Sequence, residues 1–165
     1  MRSLSRRSVV GAAALLVVGL ATAAPAVADD GYHHPRYPSR SHTLLDADLV
    51  GSLRSDPVLF GVKPGAADWT VGRSSVQVRT DGRVDVHVRD LVLTATKVNP
   101  VPQISASLVC NGAVVDTVGP AAYDTEGDAR IKDRFKVPAR CLAPAVLLNP
   151  VERVDTYIAA SGAAR

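Results

Sequence analysis

Apolar and polar residues alternate with a period of two on both sides of Asp81-Gly82, which is the pattern of paired β-strands. The alternating apolar positions are valines: Val76 and Val78 before the turn, and Val84, Val86 and Val88 after it. A two-residue loop would set Val78 opposite Asp85, whereas a three-residue loop at 80–82 sets Val78 opposite Val84. The pattern therefore predicts a hairpin with a bulged three-residue turn and Gly82 in the left-handed conformation.

A second hairpin is predicted around Asn111-Gly112, because Asn-Gly between apolar segments is the strongest short hairpin signal. Alternating apolar residues lead into it: Ile104, Ala106, Leu108 and Cys110. A two-residue loop pairs Cys110 with Ala113 and Leu108 with Val115. Since both pairs are apolar, we expect this register, with Cys110 in the core beside the turn.

A third long strand is predicted from residue 129 to residue 137, where apolar and basic residues alternate. Asp133 interrupts the apolar face, so we expect a bulge or a buried, partnered carboxylate there. Shorter apolar segments cover residues 44–53, 58–62, 146–148 and 154–160, and Lys63-Pro64-Gly65 reads as a turn.

The fold class follows from these short strands, because no amphipathic segment long enough for a helix accompanies them. We predict an all-β domain, either an antiparallel β-sandwich or a squat barrel of about 7–9 short strands with one disulfide. Trp69 is expected to plug one end of this domain.

The segment that ends at Ala28 has the layout of a secretory signal peptide. Arg2, Arg6 and Arg7 precede an apolar stretch, and Ala26-Val27-Ala28 supplies the small residues read by a signal peptidase. The pair Arg6-Arg7 leaves both Sec and twin-arginine export open. We therefore expect a secreted protein whose chain begins at Asp29 after cleavage and keeps no stable membrane span.

The segment from residue 29 to 42 is predicted to be a disordered, His- and Pro-rich linker, because it has no apolar periodicity. The β-domain is then expected to span residues 43–162. His33, His34 and His42 are the only candidate metal ligands of the linker. A linker without fixed ligand geometry is a poor metal site, so we predict no metal and no cofactor.

Removal of the signal peptide changes the charge of the protein. The full chain has 19 basic and 16 acidic residues, and three of the arginines lie in the signal. Subtracting them leaves 19 − 3 = 16 basic against 16 acidic residues, a net charge of zero. A neutral domain offers little long-range attraction to phosphate backbones, which argues against nucleic acid as a partner.

The two cysteines, Cys110 and Cys141, are predicted to form a disulfide, since exported proteins meet oxidising surroundings. The alternative is a catalytic thiol with a spare partner. A bridge here closes a loop of about 30 residues, which the chain-entropy model values at roughly 3–4 kcal/mol.

Catalytic motifs are absent from the sequence, which contains no GxSxG, HExxH or CxxC. His87 follows Asp85 on the polar face of its strand, where a carboxylate can orient an imidazole for proton transfer. The alternative functions are therefore a small secreted hydrolase that uses His87 and nearby acids, or metal binding by the His-rich tail. The prediction is that no residue is catalytic.

A basic row is the main surface feature: Arg130, Lys132, Arg134 and Lys136. It extends about 20 Å along one strand face. The favoured interpretation is protection of a sheet edge against pairing with other chains, with Asp116 or Asp124 as neutralising acids. The alternative is binding of a polyanion such as a cell-wall polymer. Phe135 alternates onto the opposite, apolar face, so no aromatic residue shares the face of the cations and base stacking has no support.

Four segments carry a resemblance to known proteins: "VLFGVKPGAADWTV", "DGRVDVHVRDL", "NPVPQISASLVCNG" and "FKVPARCLAPAVLL". Together they resemble secreted, single-disulfide, β-rich proteins of high-GC actinobacteria over roughly residues 44–162. The part "GVKPG…DGRVDVHVRDL" is also similar to the chordin-type CHRD domain, an extracellular β-rich module. The resemblance implies export and a β-rich fold and assigns no catalytic residues. We expect a secreted binding or structural module.

Overall fold

The computed structural model describes residues 40–151 and 153–162, and within them it contains twelve strands and no helix. The strands are β1 (Thr43–Gly51), β2 (Lys63–Pro64), β3 (Trp69–Thr70), β4 (Ser75–Arg79), β5 (Arg83–Val88), β6 (Val92–Leu93), β7 (Gln103–Cys110), β8 (Ala113–Ala122), β9 (Ala129–Arg134), β10 (Ala145–Pro150), β11 (Thr156–Tyr157) and β12 (Ala159–Ser161). The predicted all-β class is confirmed. This part of the chain has no helix that is long and apolar enough to cross a membrane.

Eight strands form one large antiparallel sheet that is nearly barrel-shaped, in the order β8-β7-β10-β12-β1-β4-β5-β9. The short strand β12 lies in its middle, where Ala160 pairs with Leu147 of β10 on one side and Val50 of β1 on the other. Two small ladders, β2 with β11 and β3 with β6, lie outside this sheet. The predicted signal peptide, residues 1–28, and the linker up to residue 39 lie outside the described residues.

The first hairpin has the predicted register. Val76 lies opposite Val86 and Val78 opposite Val84, and all four are buried. Gly82 has a φ of +89°. A side chain at this position would overlap the carbonyl oxygen of Phe135, so the turn packs directly against the residue that follows β9.

The second hairpin confirms one predicted pair and corrects the other. Asn111 and Gly112 have φ values of 56° and 80°, and Cys110 lies opposite Ala113. Leu108, however, lies opposite Asp116 and not Val115, because β8 carries an extra residue at this point. The bulge brings Asp116 to the end of β9, where its carboxylate accepts a hydrogen bond of 2.7 Å from the Lys136 backbone.

The predicted turn at Lys63-Pro64-Gly65 is wrong, because this segment is extended and pairs in parallel with β11. The Lys63 N–H donates to the carbonyl of Asp155, just before β11, at 2.9 Å, and the Gly65 N–H donates to the carbonyl of Tyr157 in β11 at 2.8 Å. Pro64 lies between these donors, at a position that faces away from β11, so its missing N–H costs nothing there. The turn lies instead at Phe60-Gly61, whose φ values are 52° and 83°.

Strand β7 is buried on both faces, although Ser105 and Ser107 alternate with apolar residues along it. One face joins the main core, while Val109 packs with Val62, Leu147 and Tyr157 in a second cluster. Asn149 of β10 is fully buried beside this cluster. Its side chain accepts a hydrogen bond from Ser107 and donates to the Thr156 carbonyl, at 2.7 and 2.8 Å.

The disulfide between Cys110 and Cys141 is present, as predicted. It links the end of β7 to the segment after β9, which Asn111 also binds. The backbone N–H of Asn111 donates to the Leu142 carbonyl at 2.8 Å, and its side-chain oxygen accepts from the Leu142 N–H at 2.9 Å. A covalent bond and two hydrogen bonds therefore fix the same contact.

Candidate functional site

The outer face of β1, β4, β5 and β9 is polar, because the alternate valines of β4 and β5 point into the core. Directly paired residues project from the same face of a sheet, so the register arranges these side chains in rows across the strands. One row is Asp48, Ser75, His87 and Arg130, and the next is Asp46, Gln77, Asp85 and Lys132.

The four residues of the predicted basic row do not all lie on one strand. Arg130, Lys132 and Arg134 lie on β9, whereas Lys136 lies beyond the end of the strand. Arg130 donates two hydrogen bonds to the carboxylate of Asp85, at 2.7 and 3.0 Å. The Lys132 Nζ lies 3.9 Å from the same carboxylate. Asp85 therefore offsets the charge at the start of the row.

The acids that we expected to neutralise the row bind backbone groups instead. Asp116 accepts a hydrogen bond from the Lys136 N–H, and Asp124 accepts from Glu126 and Asp128 within its own loop. The expectation for Asp116 and Asp124 therefore does not match the contacts. Asp85, on the neighbouring strand β5, has that role.

Strand β9 is the terminal strand of the sheet, as the edge-protection interpretation requires. Its open side, however, faces the opposite terminal strand, β8. The Asp133 carboxylate accepts a hydrogen bond of 3.4 Å from Gly119 of β8, and Asp116 of β8 binds Lys136. Asp133 is thus partnered, as one of the two expectations required, but it is exposed and not buried. Contact with β8 covers this edge without help from the cations.

Three arginines come together at the end of the first hairpin. Arg79 and Arg83 flank its turn, and Arg134 of β9 is directly opposite Arg83. Like charges that face each other across a sheet are destabilising, so this arrangement calls for a reason. An open depression of about 500 Å³ is lined by the three arginines together with Gln77, Val84, Asp85, Lys132 and Asp133. We call it the arginine depression.

Local acceptors hold each of the three guanidinium groups. Arg79 donates to the side chain and carbonyl of Ser41, at 3.0 and 2.6 Å. Arg83 binds the Asp81 carboxylate at 2.7 and 2.8 Å, and Arg134 donates to the Asp81 carbonyl at 2.6 Å. A guanidinium has five N–H donors, and these contacts within the described residues use at most two of each.

The carboxylates beside these arginines remain ionised. Hydrogen bonds from Arg83 lower the pKa of Asp81 from 3.8 to about 2, and hydrogen bonds from Arg130 lower the pKa of Asp85. A depressed folded-state pKa stabilises the fold above pH 3.8, and this contribution is lost as the pH falls toward 2. The contribution of Asp81 is small because the group is exposed to solvent.

We predict that Arg83→Gln returns the pKa of Asp81 to near 3.8, because Arg83 is the main cause of its depression. The measurement is the carboxyl ¹³C shift of Asp81 followed by NMR between pH 1.5 and 6. Arg140→Gln is the matched control, since Arg140 belongs to a different segment. A carboxyl that titrates near pH 2 in the Arg83 variant would contradict this assignment.

His87 has partners different from those that proton transfer would need. It is paired with Ser75 of β4 and Arg130 of β9, and it is half-buried. Within the described residues, no hydrogen bond joins His87 to Asp85, whose carboxylate is held by Arg130. The structure therefore does not join the two groups of the hydrolase interpretation by a hydrogen bond.

Of the three candidate metal ligands in the linker, the structure describes one, His42. His33 and His34 lie outside the described residues. The His42 N–H donates to the Thr80 hydroxyl and the His42 carbonyl accepts from the Thr80 N–H, which continues the pairing of β1 with β4 by one residue. Residues 40–151 and 153–162 contain no cluster of three or more His, Cys, Asp or Glu side chains suited to a metal ion. Trp69 is buried in the main core, with only 6% of its surface exposed.

Sequence reasoning found Lys132 and Arg134 but missed Arg79 and Arg83. The valine register had already placed Arg79 and Arg83 on either side of the turn. The missing information was the pairing of β5 with β9, which are separated by a long stretch of chain.

Comparison with known proteins gives no relative from which a function can be transferred. No family model matches the chain, and no curated protein or solved structure matches it either.

Proposed function

We propose that this protein is exported and acts outside the cell as a binding module, with the outer face of β4, β5 and β9 as its binding surface. The observation that carries the proposal is the arginine depression. It concentrates cations on a rigid sheet, although the chain from residue 29 onward has no net charge.

Export is supported by two independent features. The segment that ends at Ala28 has the layout of a signal peptide. The Cys110–Cys141 disulfide is consistent with an extracellular location, because disulfides persist in oxidising compartments. The resemblance to secreted β-rich proteins of actinobacteria points in the same direction.

Expression of the full chain in an actinobacterial host tests the proposal. We expect the protein in the culture medium and the envelope fraction. Its intact mass should be that of a chain that begins at Asp29 and has the disulfide formed. Purified protein should also sediment with isolated, protein-free cell envelopes. An uncleaved protein in the cytoplasm, or absence of envelope binding, would overturn the proposal.

The export route is decided by conservative substitutions in the signal. Arg6→Lys/Arg7→Lys keeps the charge of the signal but removes the arginine pair, so it blocks twin-arginine export and leaves Sec export intact. Arg2→Lys is the matched control because Arg2 is outside the pair.

A further inference from the structure

We propose that the arginine depression, formed by Arg79, Arg83, Arg134 and Lys132, binds successive oxyanions of a linear anionic polymer outside the cell. The inference rests on the proposed function and specifies its ligand as phosphodiester or carboxylate groups repeated along a chain. The site differs from the basic row expected from the sequence, because it includes the hairpin arginines and excludes Arg130 and Lys136.

The charge distribution is the first argument. Arg83 and Arg134 are a direct cross-strand pair, and Arg79 is beside them across the turn. Three nearby carboxylates, those of Asp81, Asp85 and Asp133, offset part of the charge of the four cations, but Asp85 is shared between Arg130 and Lys132. The depression therefore keeps an excess of positive charge, and an oxyanion placed between Arg83 and Arg134 would relieve their repulsion.

The fixed position of the guanidinium groups is the second argument. Ser41 holds Arg79, and Asp81 holds both Arg83 and Arg134 through different oxygens. Side chains that are already ordered lose less conformational entropy when a ligand binds. Each planar fork retains N–H donors whose geometry matches a phosphate or carboxylate.

The composition of the surface selects a polymer among anionic partners. The lining named above contains no aromatic ring, so bases have nothing to stack on. The exposed large apolar residues of the described chain also lie elsewhere: Val58, Phe60, Val98, Val114, Val115, Leu142 and Val154. A membrane surface would find no apolar anchor beside the cations. A narrow chain that bears an anion on each repeat can enter the depression.

The spacing of the cations suits such repeats. Directly opposed residues of an antiparallel pair lie about 5 Å apart, and alternate residues of one strand lie about 7 Å apart. Arg83 and Arg134 are therefore placed to share one anion, and Lys132 is placed to meet the next one. The depression is open, so the polymer can continue beyond it on both sides.

The test measures binding of the purified, disulfide-bonded protein to poly(glycerol phosphate), to polygalacturonate and to mixed vesicles of phosphatidylcholine and phosphatidylglycerol. We expect binding to at least one polymer, with an affinity that falls roughly 20–40-fold between 50 and 200 mM salt if three anions are contacted. Arg83→Gln/Arg134→Gln should weaken binding about tenfold at 50 mM salt and flatten the salt dependence.

The matched control is Arg140→Gln/Arg153→Gln, which removes the same charge from two exposed arginines outside the depression. This variant should bind like the wild type. Lys132→Gln is a milder second variant in case the double substitution disturbs the hairpin. It should reduce the salt dependence, and the thermal unfolding midpoint without polymer checks that each variant is folded.

The outcomes separate this inference from the proposed function. Preference for one of the two polymers identifies the anionic group and supports the inference. Envelope binding that Arg83→Gln/Arg134→Gln leaves unchanged overturns the inference and leaves the binding module in place. Stronger binding to vesicles than to both polymers overturns the polymer as ligand. Absence of binding to envelopes and to polymers overturns both proposals.

Discussion

Replacement of both cysteines by alanine is expected to lower the free energy of unfolding by about 3–4 kcal/mol. The sequence separation of Cys110 and Cys141 is 31 residues, so the disulfide removes the entropy of a long loop from the unfolded chain. The native contact is expected to persist in part, because Asn111 and Leu142 share two hydrogen bonds beside the bridge. We therefore expect the variant to fold but with a much lower free energy of unfolding.

Urea unfolding of the wild type and of Cys110→Ala/Cys141→Ala provides the measurement. With a slope of about 1.5 kcal/mol per molar urea, the midpoint should fall by about 2–3 M. Wild-type protein with an excess of reductant is the control, and its midpoint should approach that of the variant. Equal midpoints for oxidised wild type and variant would show that the bridge does not stabilise this fold.

Substitution of Gly82 by alanine is expected to destabilise the domain far more than the same substitution at Gly112. Both glycines have similar positive φ values, +89° and +80°, which cost an alanine about 1 kcal/mol in either turn. Gly112 has no atom within 4 Å of an added Cβ, whereas at Gly82 the Cβ would overlap the Phe135 carbonyl. The Gly82 carbonyl also accepts a hydrogen bond of 2.9 Å from Phe135.

We expect Gly112→Ala to lose about 1 kcal/mol of unfolding free energy and Gly82→Ala to lose about 3 kcal/mol, since relief of the overlap must separate the turn from the end of β9. Chemical denaturation of the two variants gives both values. Because the backbone strain is shared, the difference between them measures the packing of the hairpin turn on Phe135. Equal losses would mean that the overlap of the alanine side chain at position 82 with the Phe135 carbonyl is relieved without a loss of free energy.

The parts of the fold that could be predicted are those in which neighbouring chain segments pair. In the first hairpin, the loop length and the valine positions together allow one register that buries all valines. The same reasoning placed Cys110 opposite Ala113. It failed two residues later, because β8 carries a bulge there that brings Asp116 to the backbone of Lys136, in another part of the chain.

Pairings between distant segments could not be predicted from alternation alone. Strand β5 pairs with β9, although β6, β7 and β8 all lie between these two strands along the chain. Nothing in either sequence selects the other as its neighbour. The candidate site depends on that pairing, since it sets Arg134 opposite Arg83. The sequence therefore contained every residue of the arginine depression but not their proximity.

The prediction of a turn at Lys63-Pro64-Gly65 was wrong for a similar reason. Proline and glycine favour turns locally. Here the partner strand β11 accepts hydrogen bonds only from the residues on either side of Pro64, so the proline is tolerated in an extended segment. A contact with a strand near the other end of the domain decided the conformation of these three residues.

The position of β12 has a consequence for the order in which the domain can assemble. This strand fills the gap between β1 and β10, so the hydrogen-bonded sheet consists of two separate halves until residues 159–161 are available. A chain that is threaded through a membrane with its amino end first would deliver β1 early and the closing strand last. Vectorial transit would thus keep the domain incomplete throughout its passage, and the two halves would join once the final segment arrives.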